Sequence, residues 1–446
     1  METDYLIIGN SAGGIGAIEA IRSVDSKGSI TVVSDEPYPA YSRPLISEYL
    51  AGERDLNGML YRPPDFYEKM GTVKMFGNVA VSLDLQARQL ELDNRQKVAY
   101  RSILLATGGK PIVPPIEGLK RKGVHTFTRL DDAKAIAGET EEGAKKAVVI
   151  GGGLIGISLA EALHKRGIRV TIVELMERIL GAVLDEEASK MAENAVRQAG
   201  IEIMTGHTVE SVIGKSGDEG RAGGAVLDSG DTIECDLLVV AIGVQPNTDL
   251  VRNTDIEVGR GILVDRQMAA GFPGVYACGD VAECYDFIHG EERVVPVWPN
   301  AHIGGRIAGY NMAGRNADYP GGTAINSLKY FGLPIASAGI VNPTGNDEGY
   351  EVLSRRDEDR YQKFVLRDGR LVGMVLVRDI ERSGIMFGLM RDGVDIGSCR
   401  ESLLSDEFGL ISLPEDLLRK RLALPDLGRL HLLDEPEAAE KVTAGV

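Results

Sequence analysis

The sequence has few of the side chains that bind metal ions or form disulfide bonds. Only four of its 446 residues are cysteine, none of them forms a C-x-x-C pair, and the six histidines lack H-x3-H spacing. Neither a disulfide framework nor a zinc site has this pattern. We therefore expect no bound metal.

Excess positive charge and long apolar runs are also missing. The chain has 49 basic and 66 acidic residues, which gives a net charge of -17. This charge argues against general affinity for nucleic acids or anionic membranes. The sequence contains no run of ~18 apolar residues, the length that a membrane-spanning helix needs. The amino-terminal residues show no secretory signal. We expect a cytoplasmic protein that has neither nucleic acid nor a membrane as a partner.

Two segments have the pattern of a strand, a glycine turn and a helix. They cover residues 5–22 and 147–166, and a second apolar run follows each one, at 29–36 and 169–174. A β-rich run that breaks at glycines and continues at helical spacing is typical of a βαβ unit. Two such units so far apart predict an α/β protein with two Rossmann-type, three-layer dinucleotide-binding domains.

The rest of the chain is less regular. The glycine-rich stretch 214–224 is expected to be a turn or a flexible loop. After about residue 322 the pattern alternates, with a turn at Asp368-Gly369, and predicts an antiparallel sheet followed by a helix near 380–391. The last residues, roughly 15 of them, are expected to form a mobile tail.

The second glycine turn predicts a dinucleotide site. Gly151 permits a tight turn, Gly153 lets the backbone approach a pyrophosphate, and Gly156 allows close packing of the helix on the strand. Leu154 and Ile155 begin the helix, whose amino terminus attracts the phosphates. Glu174 ends the next strand, where a carboxylate binds the ribose hydroxyls and repels a 2′-phosphate. NADH should therefore be preferred over NADPH.

The first glycine turn is less regular, because serine replaces the second glycine. This serine is tolerable if its backbone does not need a positive φ. Asp35 and Glu36 follow the next strand and are both candidates to bind a ribose, with Glu36 slightly favoured. The predicted cofactor contacts of this turn are Gly9, Ser11, Ala12, Gly13 and Gly14.

Three further stretches carry a family resemblance. "LLATGGKP" (104–111), "AIGVQPNT" (241–248) and "GVYACGDVAE" (274–283) accompany the two glycine turns in the expected order. Together the five motifs resemble the pyridine nucleotide–disulfide oxidoreductase family over about residues 4–325. The resemblance implies that FAD and NAD(H) are the cofactors and that Asp280 binds the FAD ribityl chain.

The resemblance also implies a domain organisation. FAD would lie in a split domain formed by residues 1–114 and 246–322, and NAD in residues 115–245. Residues 323–446 would form a C-terminal α+β interface domain, through which the protein is expected to form a homodimer. The cofactor contacts implied outside the glycine turns are Arg43, Pro44, Ser47, Val79, Ala106, Thr107, Gly108, Gly243, Gly279, Asp280 and Trp298.

Two segments are similar to one branch of this family. Residues 36–52 and 297–314 resemble the branch of rubredoxin reductases, ferredoxin reductases and nitrite reductase flavoproteins. In that branch a helix amino terminus faces the flavin and favours its anionic reduced form. Trp298 lies just before this helix, and it either packs against the flavin or is an ordinary core aromatic.

The sequence departs from the family pattern at the flavin. Family members that reduce disulfides or peroxide carry a cysteine there, but this chain has none between Met1 and Glu234, and Pro44 stands near that position. Those reactions need a thiolate nucleophile, so we do not expect them. A lysine–glutamate pair that is common in relatives is also absent. Ser47 stands at the position of the lysine and Ser158 at that of the glutamate.

We therefore predict an NADH-dependent flavin oxidoreductase. It would transfer hydride from NADH to FAD and then electrons to an acceptor, either a small one-electron carrier of the rubredoxin or ferredoxin type or a partner metalloenzyme. Hydride transfer depends mainly on alignment, so no catalytic side chain is expected. Two alternatives remain, a cysteine-less NADH oxidase that produces H2O2 and an NADH-responsive flavoprotein that acts in interaction or redox sensing.

Overall fold

The structure is a computed structural model. It describes residues 1–343 and 349–406, and beyond these 408–409, 412–413, 415 and 418–419. The predicted tail lies outside the described residues. Among the described residues, no helix combines the length and the apolar character that crossing a membrane requires.

The helices and strands of the first part of the chain include the first glycine turn. They are β1 (Glu2–Ile8), α1 (Ala12–Val24), β2 (Ile30–Ser34), α2 (Ile46–Ala51), α3 (Leu56–Met59), α4 (Phe66–Lys69), β3 (Thr72–Phe76), β4 (Ala80–Asp84), β5 (Gln89–Leu92), β6 (Lys97–Leu105) and β7 (Gly109–Pro111).

The middle of the chain contains the second glycine turn. Its elements are β8 (Val124–Thr126), α5 (Leu130–Glu141), β9 (Lys146–Ile150), α6 (Leu154–Lys165), β10 (Arg169–Glu174), α7 (Glu186–Gln198), β11 (Glu202–Thr205), β12 (Val209–Lys215), β13 (Asp218–Leu227), β14 (Thr232–Glu234), β15 (Leu237–Val240) and β16 (Val244–Pro246).

The remaining elements lead into a separate C-terminal sheet. They are β17 (Ile262–Leu263), β18 (Val275–Ala277), β19 (Ala282–Asp286), β20 (Glu291–Arg293), α8 (Trp298–Met312), β21 (Ile325–Tyr330), β22 (Leu333–Gly339), β23 (Tyr350–Arg356), β24 (Tyr361–Arg367), β25 (Arg370–Val377) and α9 (Ser383–Arg391).

The first sheet has the order β3-β2-β1-β6-β5-β4. Strands β3, β2, β1 and β6 are parallel, whereas β5 and β4 follow as an antiparallel meander. Strand β18 joins the same sheet, parallel to β6, with Tyr276 opposite Leu104. The chain thus returns to its first sheet after the second glycine turn, as a split first domain requires.

The second sheet has the order β11-β10-β9-β15-β8 and is parallel throughout. Its central strands are continuous apolar runs, because a parallel sheet is covered on both faces. Beside it lies an antiparallel sheet of β12, β13 and β14. The prediction of a loop over 214–224 is wrong for most of its length, since only Ser216 and Gly217 form the turn and β13 begins at Asp218.

Two short strands connect the two units. Strands β7 and β16 pair antiparallel, with Val244 opposite Pro111. Beside them the Thr107 hydroxyl donates to the Asn247 carbonyl at 2.7 Å. The chain therefore leaves the first unit and returns to it along one two-stranded ribbon, close to the predicted boundaries at 114 and 246, which themselves remain predictions.

The C-terminal unit is an antiparallel sheet of order β21-β22-β25-β24-β23, with α9 packed on it. The predicted turn lies between β24 and β25, where Asp368 and Gly369 have positive φ angles of 52° and 72°. The predicted helix corresponds to α9. Two parallel-sheet units and a C-terminal α+β unit are the predicted fold class, which is therefore confirmed.

Candidate active site

The first glycine turn joins β1 to α1 at the carboxyl edge of the first sheet. Gly9 has a φ of 118°, and a Cβ there would lie 2.1 Å from the Ala106 carbonyl oxygen. A Cβ on Gly14 would lie 2.1 Å from the Gly9 oxygen. Ser11 has a φ of -134°, which is extended backbone that any residue adopts. The backbone at this position therefore does not need a positive φ, so serine can replace the second glycine.

Several other predicted contacts meet the same edge of the sheet. Ala106 follows β6 directly, and its amide donates to the Ile8 carbonyl at 2.8 Å. Gly108 has a φ of 68°, and no atom lies within 4 Å of the place where its Cβ would stand. Val79 lies beyond β3 with an exposed side chain. The carboxyl ends of parallel strands are where open α/β sheets bind their ligands.

Asp280 lies in a 3-10 turn, Gly279–Val281, that follows β18. Burial raises the pKa of this carboxyl, an effect that the Arg43 guanidinium opposes. Within the described part of the chain, we find no hydrogen-bond or ion-pair partner for its carboxylate. A half-buried carboxylate without donors is costly unless a ligand supplies them. The hydroxyls of a ribityl chain are suitable donors, so this residue fits FAD.

The two carboxylates that are candidates to bind a ribose have different surroundings. Glu36 is buried, accepts a hydrogen bond from the Tyr41 hydroxyl at 2.7 Å, and pairs with Arg43. Asp35 is 41% exposed in its side chain and pairs with Arg129 at 2.6 Å. The choice between them stays a prediction.

The second glycine turn repeats this geometry between β9 and α6. A Cβ on Gly151, whose φ is 110°, would lie 2.6 Å from the Ala241 oxygen, and one on Gly156 would lie 1.9 Å from the Gly151 oxygen. Gly153 differs, because no atom lies within 4 Å of its Cβ position. The backbone at Gly153 is therefore open toward a ligand at the amino terminus of α6, where phosphate binds favourably.

Glu174 ends β10 beside this turn. One carboxylate oxygen accepts a hydrogen bond from the Gly152 amide at 2.6 Å, and the other accepts from the Met176 amide at 2.8 Å. Leu154 and Ile155 form the first turn of α6, and Gly243, with a φ of 122°, follows β15. The structure thus brings these predicted cofactor contacts together at one edge of the second sheet.

Arg43, Pro44 and Ser47 lie between the two units. Arg43 and Pro44 form a 3-10 turn, Ser47 is in α2, and α2 packs against α5 and α6. The Arg43 guanidinium also donates to the Thr128 carbonyl at 3.2 Å. Exposed ion pairs also cross this contact, although the lysine–glutamate pair of relatives is absent. One of them joins Lys165 to Glu53 at 3.0 Å.

Trp298 is the first residue of α8 and is half-buried. Its ring meets Tyr61 edge to face, with centroids 4.9 Å apart, and the Tyr61 hydroxyl lies 3.2 Å from His302 Nδ1. Sequence reasoning missed the contact of Tyr61 with His302, because Tyr61 belongs to no motif and the two residues are 241 positions apart. Packing of Trp298 against the flavin stays a prediction.

The pKa values of the four cysteine thiols disfavour the reactive thiolate. Burial raises the pKa of Cys235 and Cys284 to about 12 and also raises the pKa of Cys278 and Cys399. A thiol with a raised pKa is a poor nucleophile at neutral pH. These surroundings agree with the expectation that the protein does not use cysteine chemistry.

Comparison with known proteins assigns the family. A family model described as pyridine nucleotide-disulphide oxidoreductase matches residues 3–317. The chain belongs to this family. A second model, described as the rubredoxin NAD+ reductase C-terminal domain, matches residues 325–394. Family membership confirms the predicted enzyme class, an NADH-dependent flavin oxidoreductase, and its cofactors, FAD and NAD(H).

Three relatives in this family illustrate the range of its members. The chain is 35% identical to the NADH-dependent phenylglyoxylate dehydrogenase subunit epsilon of Aromatoleum evansii, over 91% of this chain and 95% of that one. It is 30% identical to a nitrite reductase [NAD(P)H] of Bacillus subtilis, over 88% of this chain but only 47% of the relative. The crystal structure of NADH:rubredoxin oxidoreductase from Clostridium acetobutylicum superposes with a TM-score of 0.72 and 27% identity, over 89% of this chain and 96% of that one.

Proposed function

We propose that the protein passes electrons from NADH through FAD to a small one-electron carrier protein of the rubredoxin or ferredoxin type. The observation that carries the NADH-to-FAD part of this proposal is the pair of glycine turns, each at the carboxyl ends of the parallel strands of its own sheet. When bound, FAD accepts a hydride from NADH and returns the electrons singly. The chain supplies binding and alignment, because hydride transfer needs the two cofactors held in contact.

The predicted contacts assign the cofactors to the two turns. FAD would lie along Gly9, Gly13 and Gly14, with Asp280 accepting hydrogen bonds from its ribityl hydroxyls. NADH would lie along Gly151 and Gly153, with Glu174 at its ribose. The two-stranded ribbon of β7 and β16 would then separate an FAD domain, 1–114 with 246–322, from an NAD domain, 115–245.

Two observations support a carrier protein as the acceptor. The C-terminal unit matches a domain of rubredoxin reductases over residues 325–394. No cysteine lies between Met1 and Glu234, so the thiolate needed to reduce disulfides or peroxide is missing from the first half of the chain.

Steady-state assays with NADH and purified rubredoxin or ferredoxin test the proposal. We expect carrier reduction to be faster than the reaction with free O2. If O2 turnover dominates with every carrier, the protein is instead an oxidase that produces H2O2. If NADH reduces the flavin only slowly and leaves a long-lived charge-transfer band, a redox-sensing interaction protein is the better interpretation.

A second candidate is a subunit that exchanges electrons with a larger metalloenzyme. It is favoured by the relative that is 35% identical over 95% of its length and is named a subunit. Purification from the source organism under native conditions distinguishes the two candidates. The subunit function predicts that NADH-dependent flavin activity elutes with other chains at a fixed ratio, whereas a carrier reductase would elute by itself, as the homodimer that we also propose.

A further inference from the structure

The C-terminal unit contacts two segments that adjoin the second glycine turn, the start of α6 and the 180–184 loop. Tyr330 ends β21, and Asn342 lies in the segment after β22. Both residues lie more than 150 positions beyond the loops they contact. The side chains of other residues in this unit, among them Tyr361 and Lys363, also bond to the second unit, at Asp185.

Tyr330 holds the start of helix α6. Its hydroxyl donates a hydrogen bond to the Leu154 carbonyl at 3.0 Å. Leu154 directly follows Gly153, the residue whose backbone is open toward a ligand. Burial raises the pKa of Tyr330, so its hydroxyl stays protonated and remains a hydrogen-bond donor.

Asn342 holds the loop that supports the glycine turn from the other side. Its side-chain amide donates to the carbonyls of Gly181 and Leu184, at 3.2 and 3.0 Å. Within this loop Leu180 has a positive φ of 55°, a conformation that a leucine keeps only when its surroundings hold it. The Leu180 amide in turn donates to the Gly152 carbonyl at 2.8 Å.

We propose that Tyr330 and Asn342 are positioning residues for NAD(H), which fix the pyrophosphate-binding turn through Leu154 and through the 180–184 loop. This inference rests on the proposed function, because it takes the second glycine turn as the NADH site. A turn that is already ordered binds its ligand more tightly, since less conformational entropy is lost on binding. Through these two residues the C-terminal unit therefore helps to order the nucleotide site.

The variants Tyr330→Phe and Asn342→Ala test the proposal in the FAD-loaded full-length protein. Each removes hydrogen bonds to one loop, so we expect the Kd for NAD+ measured by calorimetry to rise about three- to tenfold. The limiting rate of flavin reduction at saturating NADH should stay unchanged. Amide hydrogen exchange should become faster at Gly152 and Leu180.

Matched controls lie in the same C-terminal sheet. Tyr350 contacts Arg367, and Asn326 contacts Ser337, so neither bonds to the nucleotide site. We expect Tyr350→Phe and Asn326→Ala to leave the Kd and the exchange rates of Gly152 and Leu180 unchanged. The two test variants act through separate hydrogen bonds, so if one fails to fold the other still decides.

Three results would overturn the inference. One is an unchanged Kd in both test variants together with a lower Tm, which would show that the contacts only join the two units. Another is an equal rise in Kd in the controls. Wild-type protein that does not bind NAD+ at all would refute the proposed function itself, and this inference with it.

Discussion

At the scale of single residues, we predict that Glu174 determines the preference for NADH over NADPH. The neighbouring Leu175 is 65% exposed, so a longer side chain there has room to extend. Replacing Glu174 by alanine and Leu175 by arginine removes the charge that repels a 2′-phosphate and adds one that attracts it. We expect kcat/KM to fall by about tenfold or more for NADH and to rise for NADPH.

Anaerobic stopped-flow measurement of flavin bleaching with each nucleotide checks this expectation. Wild-type protein should bleach rapidly with NADH and slowly with NADPH. Glu177→Ala, which removes an exposed carboxylate nearby, is the control and should keep the NADH preference. Rapid bleaching of the wild type by NADPH alone would show that the second glycine turn has been assigned incorrectly.

The charge of the Asp280 carboxylate should affect both the binding of FAD and the stability of the FAD-free protein. Hydrogen bonds to a charged group contribute about 1.5–3 kcal/mol, so Asp280→Ala should weaken FAD binding by roughly ten- to a hundredfold. The FAD content per chain after repeated ultrafiltration measures this loss. Full FAD content in the variant would mean that the carboxylate does not contact the cofactor.

The raised pKa of Asp280 also has a consequence for stability. The folded apoprotein holds this proton more tightly than the unfolded chain does. The free energy of unfolding should therefore fall as the pH rises from the ordinary pKa of 3.8 through the raised one. Urea unfolding of the FAD-free protein should show this fall in the wild type relative to Asp280→Asn, which cannot ionise. Parallel pH profiles of the two proteins would contradict the prediction.

At the scale of elements, glycines set how closely α1 and α8 pack. A Cβ on Gly305 would lie 2.0 Å from the Gly13 oxygen, and one on Gly309 would lie 2.6 Å from the Ala17 oxygen. Both contacts are with backbone, which cannot move aside as the end of a side chain can. The position of the first glycine turn therefore depends on α8, which comes almost 300 residues later in the chain.

Gly305→Ala should consequently destabilise the protein by about 1–3 kcal/mol, the usual cost of overpacking. Gly138→Ala is the matched control, because Gly138 also lies inside a helix but no atom stands within 4 Å of its Cβ position. There alanine should stabilise the helix by roughly 0.5–1 kcal/mol. Urea unfolding of both variants checks the pair of expectations, and equal effects would argue against the close helix contact.

At the scale of the whole molecule, a buried ion pair joins the C-terminal unit to the start of helix α7 in the second unit. Lys363 Nζ lies 3.0 Å from the Asp185 carboxylate, and both side chains are about nine-tenths buried. Asp185 also accepts a hydrogen bond from the Tyr361 hydroxyl at 2.6 Å and from the Ala188 amide at the start of α7. The two units are therefore held together by charge as well as by apolar packing.

Lys363→Met should destabilise the protein by about 3 kcal/mol, because it leaves a buried carboxylate without its cation. Lys165→Met is the matched control, since its pair with Glu53 is 40% and 47% exposed and should contribute at most about 1 kcal/mol. Thermal and urea unfolding measure both changes. A loss of similar size in the two variants would show that the Lys363 pair is no better shielded from water than a surface pair.

The sequence by itself determined the two glycine turns, the acid that ends β10 and the turn at Asp368-Gly369. These features are local, because a tight turn, a helix start and a strand end are set by residues within about 25 positions of one another. The order of the family motifs added the return of the chain to its first sheet. The lack of a cysteine in the first half follows from the composition alone.

Only the tertiary structure decided features that depend on distant neighbours. Residues 218–224 are rich in glycine and charge, yet they form β13 because partners lie on both sides. Strand β12 pairs along one side, and on the other side Lys122 bonds to Gly220 and Ala222 while β14 pairs from Gly224 onward. The Tyr61–Trp298–His302 group, the pairing of Asp35 with Arg129, and the support of Leu154 by Tyr330 join residues from about 94 to 241 positions apart. No local pattern encodes such contacts, because they form only when distant segments of the chain pack against each other.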